Sequence, residues 1–299
     1  WRFVQALGGG ACVVNSAAIV RDCFSGREAA KVMSTMAMIL MLAPLVAPMV
    51  GSLLLYLADW WLIFVFLAVY AAFLMWLLGA FLPETRPAGA PVASPRQVLR
   101  NYASVLTDRQ AMGYILAVAA SFAGIFAFVT SSPFLYMQHY GLSPAAYPFV
   151  FGANVVVMAL SNRVNIRLLR RRTPQQNLRL GLAIQLVAAG GLLVVVATGT
   201  DSLFTVVPLV MAFLGVVGLI SPNAISSLLE RFSHMSATAT ALLGSIQFSS
   251  AALSGALVTA FEIDSAWPMV IAMVTVALIG NVGLRVLAGR PPRVEEAAS

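Results

Sequence analysis

Nine apolar runs of membrane-crossing length occupy most of this 299-residue chain, at roughly 1–22, 33–56, 60–82, 112–136, 145–169, 177–199, 203–230, 237–260 and 265–288. A bilayer's hydrocarbon core, about 30 Å thick, takes about 20 residues of helix. Inside it every backbone N–H and C=O must find a partner within the protein, so such runs fold as helices. A large soluble core is the alternative, and composition excludes it. Charged residues make up 10% of the chain and hydrophobic residues 60%, against about 25% and 45–50% in soluble domains. Eleven acids and eighteen bases cannot coat a soluble protein of this size. The expected fold class is all-α integral membrane, with nine transmembrane helices.

The bases give the topology. The gaps "YLADWW", "QHYGLSP", "ATGTDS" and "FEIDSAW" carry no Lys or Arg. The alternate gaps hold Arg21, Arg27 and Lys31, then Arg86, Arg96, Arg100 and Arg109, then six arginines from Arg163 to Arg179, then Arg231, with Arg285, Arg290 and Arg293 at the end. Placing these gaps and the C-terminus in the cytoplasm puts seventeen of the eighteen bases inside, Arg2 being the exception. Bases are retained on that side during insertion.

The longest gap, 83–111, divides the chain. Its first part, "PETRPAGAPVASP", reads as an irregular linker. Ser94 is then a helix cap and Pro95 suits the first turn. Val98, Leu99, Tyr102, Val105 and Leu106 share one face, which predicts an amphipathic helix on the cytoplasmic membrane surface. The expected organisation is a three-helix bundle over 1–82, the linker over 83–111, a six-helix bundle over 112–288 and a cytoplasmic tail over 289–299.

Chemistry-bearing residues are sparse. Cys12 and Cys23 lie too far apart along a helix for a disulfide. His139 and His234 have no ligand spacing around them. Neither a metal nor a cofactor is expected, and no nucleophile with a partner or Gly-rich phosphate loop suggests an enzyme. All eleven acids fall in gaps, tails or span ends. The polar residues within spans are Asn15, Asn154, Asn162, Gln185, Asn223, Gln247 and Asn281. Such side chains face a partner helix or a water-filled cavity.

The opening stretch "RFVQALGGG" resembles the fourth-helix motif of drug:proton antiporters of the major facilitator superfamily. Arg2, Gln5 and Gly8 match, and Ala6 replaces a glycine. Ser34, Ala43, Ala47, Pro48, Gly51 and Ser52 keep the spacing of the fifth-helix motif, with Pro48 and Gly51 identical. "APLVAPMVG", "SSPFLYMQHYGLSP", "FGANVVVM" and "ATALLGSIQF" occur in order along the chain and are similar to stretches of the Bcr/CflA subfamily.

This resemblance implies a twelve-helix transporter of which the chain spans helices four to twelve, the first three being absent. It implies export of small drugs, bicyclomycin or phenicol-like, from the bacterial inner membrane in exchange for protons, by a monomer whose partners are drug, protons and lipid but not nucleic acid. The family's membrane-embedded acid would lie in the absent first helix. Arg2 would then face the interior and tune a proton site, although its own position equally suits an arginine snorkelling to headgroups. The substrate cavity would be lined by Asn15, Met41, Phe126, Tyr136, Asn154, Gln247 and Phe248. Gln5, Gly8, Pro44, Pro48 and Gly51 would supply hinges and close packing. A metabolite exporter of the same superfamily and a non-transporting helical remnant are the alternatives. The topology has a direct check: a tag at Ser299 should resist a membrane-impermeant reagent in intact cells and react after permeabilisation, and labelling of intact cells would overturn the orientation.

Overall fold

The computed structural model describes residues 2–24, 26–84, 94–261 and 265–289, with only some of the side chains in the first two helices. It divides into two compact units, Trp1–Val92 and Ala93–Ser299. All regular structure among the described residues is helical. Seven helical stretches among them are long and apolar enough to cross a membrane: Trp61–Phe81, Arg109–His139, Tyr147–Leu168, Pro174–Ala197, Leu203–Arg231, Ser236–Ala260 and Trp267–Leu287.

The first unit holds α1 (Arg2–Cys23), α2 (Gly26–Leu57) and α3 (Trp61–Phe81). α2 starts seven residues before the expected run. "GREAAKV" is rich in strong helix formers, so the helix continues past the apolar boundary. α3 buries none of its residues. Trp61, Tyr70, Phe73 and Trp76 are all exposed, and a helix apolar all round needs lipid or protein about it.

The second unit begins with α4 (Pro95–Thr107) and α5 (Arg109–Pro133). Ser94 Oγ accepts the Gln97 N–H at 3.2 Å. Tyr102 and Val105 turn into the bundle core, while Val98, Leu99 and Leu106 stay exposed. Asp108 caps α5, accepting the Ala111 N–H at 2.8 Å. The helices α6 (Tyr147–Leu168), α7 (Pro174–Ala197), α8 (Leu203–Gly215), α9 (Val217–Arg231), α10 (Ser236–Ala260) and α11 (Trp267–Leu287) follow. α5 is the hub, with α10, α11 and α9 packed on it. α7 packs on α8, α9 and α11, and α6 on α8 and α9.

The core forms two layers. One joins Tyr114, Ile115, Leu178, Leu182, Ile220 and Leu284. The other joins Phe128, Leu135, Leu192, Phe213, Met269 and Met273. Buried amides cross-link the helices. Gln185 Nε2 donates to Ser121 Oγ at 2.8 Å, and Asn281 Nδ2 to the Leu182 carbonyl at 2.7 Å. Asn165 Oδ1 accepts from Asn177 at 3.0 Å and from Asn223 at 2.7 Å.

Two spans depart from simple rods. The run 203–230 is not one helix, because the chain breaks at Val216 between α8 and α9. Pro222 has no N–H to give the Gly218 carbonyl, and the ladder loosens in the preceding turn. In the span that opens with α5, Pro133 is followed by a π-helical segment, Phe134–His139. There Tyr140 N–H reaches the Leu135 carbonyl at 3.0 Å, which carries the helix three residues past its expected end.

Close approach of α6 and α9 depends on Gly218. A Cβ there would lie 2.7 Å from Asn162 N and 2.9 Å from Met158 O, backbone atoms that cannot swing aside. Gly218→Ala should therefore cost about 1–3 kcal/mol as overpacking. At Gly190 a Cβ meets nothing, so Gly190→Ala should be neutral or stabilising. Thermal unfolding in detergent separates the two, and equal melting temperatures would contradict the packing.

Asp108 Oδ2 also accepts from Arg231 Nε at 2.8 Å and Nη2 at 2.6 Å. Burial disfavours the charged carboxylate, yet the Arg231 hydrogen bond, the Ala111 N–H and the guanidinium charge together hold it below its ordinary range. Asp108→Asn keeps a capping group and loses the ion pair. Because the folded carboxyl titrates below its unfolded value, the pair's contribution is complete above the unfolded value and is lost as pH falls through the folded one. The Arg231 side chain is 43% exposed, so the contribution is about 1 kcal/mol or less. The stability difference between wild type and variant should exist near neutrality and close in acid; one that persists into acid would contradict this.

Candidate functional site

Aromatic side chains on α5, α6 and α10 form two adjoining groups. Phe122 and Phe126 stand one turn apart on α5, ring centroids 5.3 Å apart. Phe248 of α10 meets Phe122 edge-on at 5.4 Å. Phe126 and Gln247 are half-buried, whereas Phe248 is 57% exposed. Such a face offers an aromatic surface to a flat or amphipathic molecule. Ser250, one turn on, anchors α10 to α5 by donating to the Ala119 carbonyl at 3.0 Å.

The second group is buried. Phe128 stacks on Phe151 of α6 at 6.1 Å. Tyr136, in the π-helical segment, packs edge-on against Phe128 at 5.7 Å and Tyr147 at 6.4 Å. Tyr147 bonds Ser132 across the same contact at 2.8 Å. One turn past Phe151, Asn154 donates to the Val150 and Phe151 carbonyls, both at 3.2 Å. Two polar atoms of this group are buried without a partner, Tyr136 Oη and Asn154 Oδ1. In an apolar interior such atoms mark places that a water or a ligand group completes.

Of the expected cavity residues, Phe126 and Phe248 join Phe122 in the first group, Gln247 is half-buried next to Phe248 in sequence, and Tyr136 and Asn154 belong to the buried group. Phe126 and Phe128, two residues apart on α5, present to the two groups. In the first unit Asn15 and Gln5 are exposed on α1. A Cβ at Gly8 or Gly51 would meet nothing within 4 Å. The side chains of Arg2, Met41, Pro44 and Pro48 lie outside the described residues. Sequence reasoning missed Phe122, Phe128, Phe151 and Tyr147. The Phe122–Phe126 spacing of one helical turn was the available signal.

Two further features stand apart from these groups. An apolar cavity of about 750 Å³ opens between α10 and α11, floored by Ala119, Ala120 and Ala123 and walled by Leu253, Trp267 and Ile279. None of the expected site residues lines it. At the end of the bundle away from the arginine-rich gaps, Asp201 Oδ2 takes hydrogen bonds from Tyr140 Oη at 3.0 Å and His139 Nε2 at 3.2 Å. Burial and the Asp201 carboxylate push the Tyr140 phenol well above its ordinary range. Sequence spacing did not show this cluster, because 61 residues separate Tyr140 from Asp201.

Comparison with known proteins places this architecture. The profile of the Major Facilitator Superfamily matches residues 1–255. The chain is 34% identical over 274 residues to the bicyclomycin resistance protein homolog of Haemophilus influenzae, covering 91% of this chain and 68% of that protein. It is 32% identical to the uncharacterized MFS-type transporter YdgK of Bacillus subtilis, covering 94% and 70%. It is 30% identical to the multidrug resistance protein MdtL of Escherichia coli O157:H7, covering 99% and 74%. With a profile match across most of its length and relatives above 30% identity aligned over two thirds of their own, the chain belongs to the Major Facilitator Superfamily, as a multi-pass membrane transporter of the Bcr/CflA multidrug type.

Proposed function

We propose that this transporter exports small amphipathic drugs, bicyclomycin or phenicol-like, across the bacterial inner membrane in exchange for protons. Nine helices of this chain cross the bilayer, with the C-terminus in the cytoplasm. A three-helix bundle over 1–82 is joined through the linker 83–111 to a six-helix bundle over 112–288. The observation that carries the reading is the open aromatic face of Phe122, Phe126 and Phe248, in a unit that also buries the unpartnered Tyr136 hydroxyl and Asn154 carbonyl. Apolar contact area with few polar anchors suits bulky amphipathic molecules. The names of the Haemophilus influenzae and Escherichia coli relatives, bicyclomycin resistance and multidrug resistance, support the substrate class.

The roles divide by chemistry. Phe126, Phe248 and Gln247 hold the drug, while Tyr136 and Asn154 give it polar anchors. Arg2 supplies the fixed positive charge that tunes proton exchange. Gln5, Gly8, Pro44, Pro48 and Gly51 serve packing and bending during transport.

Inverted membrane vesicles from cells expressing the native gene test this. Addition of a phenicol should dissipate a preformed pH gradient. Phe248→Ala should raise the half-maximal drug concentration about tenfold, the loss of one aromatic contact. Phe204→Ala, on α8 and more exposed still, should not. Drug uptake without any pH change would remove proton exchange from the proposal. A pH response to small organic acids but to no drug would favour the metabolite exporter.

A further inference from the structure

From Arg109 to Thr200 the chain carries seven arginines and no acid. Five cluster at one end of α6: Arg163 and Arg167 in its last two turns and Arg170, Arg171 and Arg172 in the turn beyond, all exposed. None of the five takes part in an ion pair among the described residues. Insertion topology accounts for positive charge at this end of the span. It does not set which face of the helix the arginines occupy.

Their placement follows the helical repeat. Phe149, Val156, Leu160 and Val164, spaced seven, four and four residues apart, form one exposed apolar stripe on α6. Arg163 and Arg167, three and seven residues past Leu160, extend the same stripe. The opposite face, with Asn154 and Asn165, is the buried one. Within its unit α6 packs mainly on α8 and α9, with Phe151 and Tyr147 reaching α5, and the stripe residues stay exposed. From Val156 to Arg167 it covers ~16 Å at ~1.5 Å per residue, close to the ~15 Å hydrocarbon depth of one leaflet.

We propose that this stripe is a binding site for an anionic phospholipid of the leaflet on the arginine-rich side. The phosphate sits among Arg163, Arg167 and Arg171, and an acyl chain lies along Leu160 and Val156. Only an amphiphile satisfies both parts. A soluble anion would match the guanidinium groups and leave the apolar stripe bare. A zwitterionic lipid would cover the stripe but bring its ammonium beside a cluster of positive charge. Anionic surfaces attract each nearby arginine substantially, and adjacent arginines add.

The test uses the full chain in nanodiscs of equal parts phosphatidylglycerol and phosphatidylcholine, with retained lipid counted by native mass spectrometry after extraction. Wild type should retain phosphatidylglycerol preferentially. The triple variant R163Q/R167Q/R171Q should lower that preference about tenfold or more. Lysine at the same three positions should keep most of it, since a phosphate also accepts a point charge. An unaltered preference in the triple variant would overturn the site. Displacement of the lipid by millimolar inorganic phosphate would show a soluble-anion site instead. As a check that does not require the triple variant to fold, Leu160→Trp fluorescence should be quenched more by brominated phosphatidylglycerol than by brominated phosphatidylcholine. No quenching by either lipid would show the stripe covered by protein and overturn the proposal.

Discussion

Lipid offers no hydrogen bonds, and this constraint governs the molecule. It forces the chain into helices whose backbone groups are paired within each segment. It also removes the hydrophobic drive that joins helices in water, leaving packing and side-chain hydrogen bonds to do so. The second unit uses both. Gly218 lets α9 approach the α6 backbone, while Gln185, Asn281 and the Asn165–Asn177–Asn223 group bond across helices. A buried polar side chain that leaves an atom unpaired stands out against this background, as Tyr136 and Asn154 do, with Ser161, Asn177, Ser227 and Ser254.

How far the fold was legible follows from the same constraint. Runs such as 60–82 and 237–260 announce their helices because few other structures can bury them in lipid, and the observed Trp61–Phe81 and Ser236–Ala260 agree closely. Interruptions inside apolar runs were harder to see. Pro133 and Pro222 were visible, but whether a proline yields a kink, a π-segment or a break depends on which neighbours take up the freed groups. Tertiary partners left little trace. Asn223 stood out as a polar residue in a span, yet its partner Asn165 sits among arginines near a helix end and read as part of the gap. The Gly26 start of α2 was masked by charge, because Glu28 and Lys31 suggested a loop although both favour helix.

At the candidate site, assignment to helices brought out Phe126 and Phe248 but not Phe122, which joins them. Choosing among phenylalanines on one apolar helix requires knowing which face meets a neighbour, and α5 has neighbours on several sides. The aromatic face and the 750 Å³ cavity illustrate this. Both lie on α5 and α10, yet the cavity takes Ala119, Ala123 and Leu253 while the face takes Phe122 and Phe248. Volume alone favours the cavity. The aromatic face has the geometry for stacking.

Site-resolved photolabelling with a drug bearing a small photoreactive group separates these two surfaces directly. The purified protein is irradiated with bound phenicol analogue and the labelled residues are located by peptide mass spectrometry. The account predicts labels on Phe122, Phe126, Gln247 and Phe248, reduced by excess unlabelled drug. Competable labels on Leu253, Trp267 and Ile279 instead, with none on the aromatic residues, would contradict it.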